Sequence, residues 1–263
     1  MFFTKMNGAG NDYIYFDLLN DKTTDKTFTK EAIIRLCDRN KSIGGDGIVL
    51  INKSNVAIAK MIIFNSDGSR AEMCGNALRC VAKYLYDNKY ISNKRFFIET
   101  DSGIKDTVIN DDESVTVCLG KPLSDYIPLK PLKDNSIFGY ELNIGNPHFV
   151  VFSPKIDKDF EKTAKTISNN KEIFPFGVNV EFAEIDTDYN SAKIRVYERG
   201  SGETLSCGTG ASAVFEIASY LGLLRDDAKM ILKGGILKCA HNSNGEILLT
   251  GNAELNFKGE ISI

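Results

Sequence analysis

Two distant segments of the chain are the same helix written twice around a cysteine, and that pairing constrains the fold more than anything else in the sequence. After Cys74 the apolar residues Leu78, Val81, Ala82 and Leu85 fall at offsets 4, 7, 8 and 11; after Cys207, Ala211, Val214, Phe215 and Ala218 fall at the same offsets. Those offsets trace one face of a 3.6-residue helix, so each segment is expected to be a helix with the cysteine at its N-terminal end. The match continues upstream. Asn65 and Glu198 each precede their cysteine by nine residues, each after a strand-like run (57–64 and 193–197) and before a Gly/Ser loop. Gly10-Asn11 and Gly145-Asn146 open alternating strands, with the asparagines 63 and 61 residues ahead of the cysteines. Self-similarity of this kind is an internal duplication.

The expected fold class is therefore α+β, with two pseudo-symmetric domains, each a β-sheet or barrel around a central helix, and the active site in the cleft between them. Residues 1–119 form the first half and 137–252 the second. Residues 120–136, with Pro122, Pro128 and Pro131, read as the linker. The terminal run Leu255, Phe257, Ile261, Ile263 alternates like a strand, and one placement open to residues 253–263 is a return to the first half. A further helix is expected near Thr29, which can cap it, with Ile33, Ile34, Leu36 and Cys37 as its apolar stripe.

Composition closes off several classes of function. With 32 Lys+Arg against 35 Asp+Glu and a net charge of -3, the chain has no basic footprint for nucleic acid or an anionic membrane. Its apolar runs, such as 48–51 and 61–64, are far shorter than the roughly 18 residues of a membrane helix. No signal-like N-terminus is present. A cytoplasmic location and a small polar partner are expected. Six cysteines without a Cys-x-x-Cys pair are expected to be reduced, and with two histidines, His148 and His241, no metal site is expected. Gly8-x-Gly10 lacks the third glycine and the βαβ setting of a nucleotide loop, and no Walker lysine follows Gly44-Gly45.

A thiol at a helix N-terminus sits among unpaired N–H groups at the positive end of the macrodipole, which favours the thiolate and is expected to lower its pKa. The residues after each cysteine are small, Gly75-Asn76-Ala77 and Gly208-Thr209-Gly210, so a ligand carboxylate can approach those N–H groups. If the halves face each other, two thiols flank one carboxylate-bearing carbon. Such a pair suits inversion at Cα, one sulfur removing the proton from one face and the other supplying a proton to the opposite face. Converging helix N-termini would stabilise the carbanion-like state. There is no phosphate cup and no singled-out lysine for pyridoxal phosphate, so no cofactor is expected.

Lys5-Met6-Asn7-Gly8-Ala9-Gly10-Asn11-Asp12-Tyr13, Asn65-Ser66-Asp67-Gly68-Ser69, the run from Met73 to Cys80, Gly145-Asn146-Pro147-His148, Val178-Asn179-Val180, the run from Glu198 to Thr204, and Cys207-Gly208-Thr209-Gly210 together resemble the diaminopimelate epimerases, over essentially the whole chain and in the right order. The resemblance implies a pyridoxal-independent, two-cysteine epimerase whose two domains close over substrate, converting LL-diaminopimelate to the meso form for lysine and cell-wall synthesis. By motif, it makes Cys74 and Cys207 the acid/base pair. Gly75, Asn76, Gly208 and Thr209 become the cradle of the reacting carboxylate. Asn11, Asn65, Asn146, Asn179, Glu198 and Arg199 become the residues holding the amino and distal carboxylate groups, for which a carboxylate and a planar guanidinium are suited. His148 is a candidate to stand beside a thiol. Ala77, Ser212, Gly47 and Phe176-Gly177 depart from the commonest pattern, the last two at the expected substrate rim.

Taken singly, these residues have plainer roles: Cys37, Cys80, Cys118 and Cys239 as small buried hydrophobes, the asparagines as turn residues, His148 as a local packing group. The alternatives for the whole chain are a pyridoxal-independent racemase of another amino acid, histidine or a lanthionine-like one, or a non-catalytic amino-acid-binding module. A homodimer is a further expectation.

Overall fold

The computed structural model describes residues 1–20, 27–124, 127–129 and 137–262. They divide into two compact units, one made of residues 1–118 with 250–263, the other of residues 119–249. In chain order the elements are β1 (Phe2–Gly8), β2 (Asn11–Asp17), α1 (Lys30–Cys37), β3 (Gly47–Asn52), β4 (Ala59–Asn65), β5 (Arg70–Ala71), α2 (Gly75–Asp87), β6 (Arg95–Thr100), β7 (Gly103–Ile109) and β8 (Val115–Gly120). Then come β9 (Ile127–Leu129), β10 (Gly139–Asn143), β11 (Pro147–Phe152), α3 (Phe160–Ser168), β12 (Asn179–Ile185), β13 (Ser191–Glu198), β14 (Gly202–Thr204), α4 (Gly208–Tyr220), β15 (Asp227–Leu232), β16 (Gly235–His241), β17 (Ile247–Gly251) and β18 (Glu254–Glu260).

The duplication is visible strand by strand. In the first unit β1 pairs antiparallel with β2, β2 parallel with β3, β3 antiparallel with β4, β4 parallel with β6, and β6 antiparallel with β7. In the second, β10 with β11, β11 with β12, β12 with β13, β13 with β15 and β15 with β16 repeat those senses in that order. The short strands β5 and β14 fold back on β4 and β13. On the outer side of β1 lies β18, antiparallel, where β9 lies against β10. Of the residues expected as linker, 125, 126 and 130–136 lie outside the described residues, as does Ile263 of the terminal run; β9 falls within the remainder.

Each unit holds one helix inside its sheet and one outside. Helix α2 buries Leu78, Val81, Ala82 and Leu85 completely and touches β1, β2 and β7, strands far apart in the pairing order, so the sheet curls around it. Helix α4 is buried from Gly208 through Ala218 and meets β10, β11, β12, β15 and β16. Leu78, Val81 and Leu85 each contribute about 1.5–3 kcal/mol relative to exposure. The outer helices cover the other face, Ile33 and Leu36 of α1 packing with Phe16, Ile48 and Leu50, and Phe160, Ala164 and Ile167 of α3 packing with Phe149, Val180 and Phe182. That double cover is why Ile48 to Ile51 are all buried, on both faces of β3, and read as a continuous apolar run.

Thr29 caps α1, its Oγ1 accepting from the Ala32 N–H at 3.3 Å. Thr29→Ala removes that acceptor and is expected to lower stability by about 1 kcal/mol, a fall in melting temperature of roughly 2–4 °C. A thermal melt with an unshifted midpoint would show that the cap contributes nothing. No helix among the described residues is long and apolar enough to cross a membrane.

Candidate active site

Both cysteines stand at the N-cap of the inner helix of their unit. Cys74 caps α2 with an extended backbone (φ -145°, ψ 114°), and its Sγ accepts from Ala77 N at 3.5 Å. Cys207 caps α4 in nearly the same conformation (φ -125°, ψ 114°), its Sγ accepting from Gly210 N at 3.4 Å. Intrahelical bonding begins at Leu78 N to the Cys74 carbonyl and Ala211 N to the Cys207 carbonyl, so the N–H groups of Gly75 and Asn76, and of Gly208 and Thr209, precede it in each helix. Among the described residues, which include all six cysteines, there is no disulfide.

In the first unit the turn at Gly10 (φ 82°) delivers Asn11 to the thiol. Its counterpart before Asn146 is Gly145 (φ 90°); a residue with a Cβ would be strained at both positions. Asn11 Oδ1 accepts from the Cys74 thiol at 3.4 Å and from Asn76 Nδ2 at 3.5 Å. Asn11 Nδ2 donates to Asp46 Oδ2 at 2.7 Å. Asp46 is itself bridged through Arg39 to Asp12, which Lys5 also pairs. Burial pushes the Asp12 carboxyl up, but the hydrogen bonds from Arg39 and Lys5 outweigh it and hold it below the ordinary carboxylate range. Asn76 is fixed from behind by Arg79, fully buried, which donates to Asn76 Oδ1 at 2.8 Å and to the Asn252 carbonyl at 3.4 Å. Asn65 ends β4, its amide donating to Ser69 Oγ at 3.0 Å, opposite Gly47 on β3. A Cβ at Gly47 would come within 2.1 Å of the Phe64 carbonyl oxygen, which accounts for the glycine at that departure from the family pattern.

In the second unit Cys207 is buried, and its sulfur lies 3.4 Å from Thr209 Oγ1. Glu198 ends β13 as Asn65 ends β4, and accepts from Thr204 Oγ1 at 2.6 Å. Asn179 Oδ1 accepts from the Arg199 backbone N–H at 2.9 Å. The Arg199 side chain is exposed and reaches back to the Phe176 carbonyl, Nη1 donating at 2.8 Å. Its stem occupies the space that a Cβ on Gly177 (φ 75°) would need, Arg199 Cδ lying 2.9 Å from that position, so the Phe176-Gly177 departure makes room for the arginine. Ser212, another departure, donates to the Gly208 carbonyl at 2.9 Å. His148 is completely buried between Asn146 and Glu181, Nε2 2.9 Å from Asn146 Oδ1 and Nδ1 2.8 Å from Glu181 Oε1.

The expectation of a lowered thiol pKa fails at Cys207. Burial, followed by the nearby Glu198 and Glu181 carboxylates, pushes this thiol well above its ordinary value, and the donors Thr209 and Gly210 N–H do not compensate. A helix end favours a thiolate, but here desolvation and two acids outweigh it. Glu181, Asp46 and Arg79 escaped the sequence reading. Glu181 left a trace there, as an acid set among Val178, Val180, Phe182 and Ala183. Among the described residues no group of three or more His, Cys, Asp or Glu side chains could hold a metal ion.

Residues 3–124 and 140–256 match the family model described as diaminopimelate epimerase. The chain is 40% identical, over 281 aligned positions covering all of both chains, to the diaminopimelate epimerase of Methanococcus maripaludis. It is 36% identical over 280 positions, again covering both chains entirely, to that of Caldanaerobacter subterraneus subsp. tengcongensis. Among solved structures it is similar to a Bacillus anthracis phenazine biosynthesis protein of the PhzF family (TM-score 0.77, 15% identity, 100% and 99% of the two chains). It is also similar to a hydroxyproline epimerase from Agrobacterium vitis (TM-score 0.68, 17% identity, 98% and 91%). These two likenesses are of fold.

Proposed function

The chain belongs to the diaminopimelate epimerase family, and from that membership we propose that it inverts one Cα of LL-diaminopimelate to give the meso form, a cofactor-independent isomerisation serving lysine and peptidoglycan precursor synthesis. The observation that carries the reading is the equivalent placement of Cys74 and Cys207, each the N-cap of the inner helix of a duplicated unit. One thiolate takes the Cα proton from one face, and the other thiol returns a proton to the opposite face. No atom is gained or lost, and the two sulfurs exchange protonation states. Burial favours the thiol form of Cys207, suited to the donor role for one stereoisomer.

The carbanion-like state needs dipoles aimed at the reacting carboxylate, and the early N–H groups of α2 and α4 are suited to that task. Asn11, Asn65, Asn146, Asn179, Glu198 and Arg199 hold the amino and distal carboxylate groups in this reading, which also takes the enzyme as cytoplasmic and homodimeric. The test is incubation with LL-diaminopimelate in heavy water. Epimerisation deposits one deuterium at the inverted Cα as the meso isomer accumulates. A protein that binds the amino acid but leaves its Cα hydrogen untouched would be a binding module, and exchange in histidine or lanthionine alone would make it a racemase of another substrate.

A further inference from the structure

The second unit contains a buried acid to which the reading above gives no role. Glu181 and His148 are both 0% exposed and lie on adjacent parallel strands, where Val150 faces Glu181 and His148 faces Asn179. Glu181 Oε1 is 2.8 Å from His148 Nδ1, and His148 Nε2 is 2.9 Å from Asn146 Oδ1. Helix α4 closes the other side: a Cβ on Gly210 would come within 2.5 Å of Glu181 Oε1. Glu181 Oε2 has no hydrogen-bond partner among the described residues.

The two contacts decide where the protons lie. Among the described residues His148 is the one basic side chain paired with Glu181. Asn146 turns its oxygen, Oδ1, toward Nε2, an amide oxygen can only accept, and one further proton lies between Nδ1 and Glu181 Oε1. Whether Glu181 or Nδ1 holds the inner proton, the other is on Nε2. A protonated Nε2 donates to Asn146 Oδ1 and so fixes which end of that amide points inward. The other end, Nδ2, has no protein partner among the described residues, and Asn146 is only half-buried.

We propose that Glu181 is a positioning residue: by keeping His148 Nε2 protonated it holds Asn146 with its amide NH2 turned toward the substrate, making Asn146 a donor to a carboxylate oxygen rather than an acceptor for an ammonium group. The substrate half of this statement rests on the epimerase reading; the protonation and amide orientation do not. Glu181→Gln replaces the carboxyl by an amide, either end of which satisfies Nδ1. Nε2 then donates or accepts with similar energy, and Asn146 loses its fixed orientation.

The experiment is nitrogen NMR of protein labelled with ¹⁵N-histidine. The chain has two histidines, and a His241→Asn variant assigns the signals. Nε2 of His148 is expected to carry a proton in the wild-type protein and to shift toward the unprotonated position in Glu181→Gln. The same variant should raise KM for diaminopimelate by about twofold, the competent fraction having fallen to about one half, with kcat changed by less. Glu181→Asp, which keeps the carboxyl group, should retain the protonated Nε2 and recover most of KM. An unprotonated Nε2 in the wild type, or a Gln variant with wild-type KM, overturns the proposal. If the Gln variant does not fold, the wild-type signal and the Asp variant decide it, an Asp variant with an unprotonated Nε2 counting against. A wild-type protein that does not epimerise diaminopimelate would sink the functional reading while the nitrogen signals still decide the protonation.

Discussion

Cys74→Ala and Cys207→Ala should each lower epimerase turnover by on the order of 10²–10⁴-fold, the usual worth of a positioned proton-transfer group, and leave the fold intact. Inversion needs an acceptor on one face of Cα and a donor on the other, so neither thiol substitutes for its twin. The structural cost is small by comparison. Each sulfur caps its helix through one N–H, from Ala77 or Gly210, and loss of a cap costs about 1 kcal/mol. That is a modest fraction of the roughly 5–15 kcal/mol that holds a domain together. Steady-state turnover and a circular dichroism melt read the two effects separately. Near-normal turnover in either variant would contradict the two-base scheme; an unfolded variant would show that the cysteine is structural.

Arg199→Lys should weaken binding of diaminopimelate by about 1–3 kcal/mol, or one to two decades in affinity, with little effect on short mono-carboxylate amino acids where these react. In the proposed reading helix N-termini receive the reacting carboxylate, which leaves the guanidinium for the distal one. Among the described residues Arg199 makes no ion pair; its Nη1 is anchored to the Phe176 carbonyl at 2.8 Å and its stem lies against Gly177. The rest of the planar fork is held out at the surface. A lysine keeps the charge but neither that anchor nor the fork. Binding measured for both substrate classes is the check: equal losses would place Arg199 at the reacting centre or in the fold, and the distal-pocket assignment would be withdrawn.

What was legible in the chain beforehand was whatever a few consecutive turns of backbone can encode. The offsets after Cys74 and Cys207 specify a buried helical face, and α2 and α4 begin one residue after those cysteines. Thr29 marks the start of α1 for the same reason, since a cap bonds only three residues ahead. The duplication was readable because each copy repeats its spacing, and the matching strand senses of the two units follow from it. Asn65 and Glu198 are equivalent by spacing, and each ends the corresponding strand, β4 and β13.

The tertiary structure decided what depends on residues far apart in the chain. Asn11 is held by Asp46, 35 residues away, and Arg79 by the Asn252 carbonyl, 173 residues away; neither pairing has a local signature. Strand β18 lies beside β1 where β9 lies beside β10, a matter of register that no period reveals. The thiol at Cys207 illustrates the physical reason. Helix polarity is a property of the segment and argued for a thiolate, but desolvation and the approach of Glu198 and Glu181 depend on what the fold brings around the sulfur, and they carry its pKa the other way. Periodicity and capping are short-range and survive in a string of letters, whereas burial and the partner of a buried charge exist only once distant strands have met.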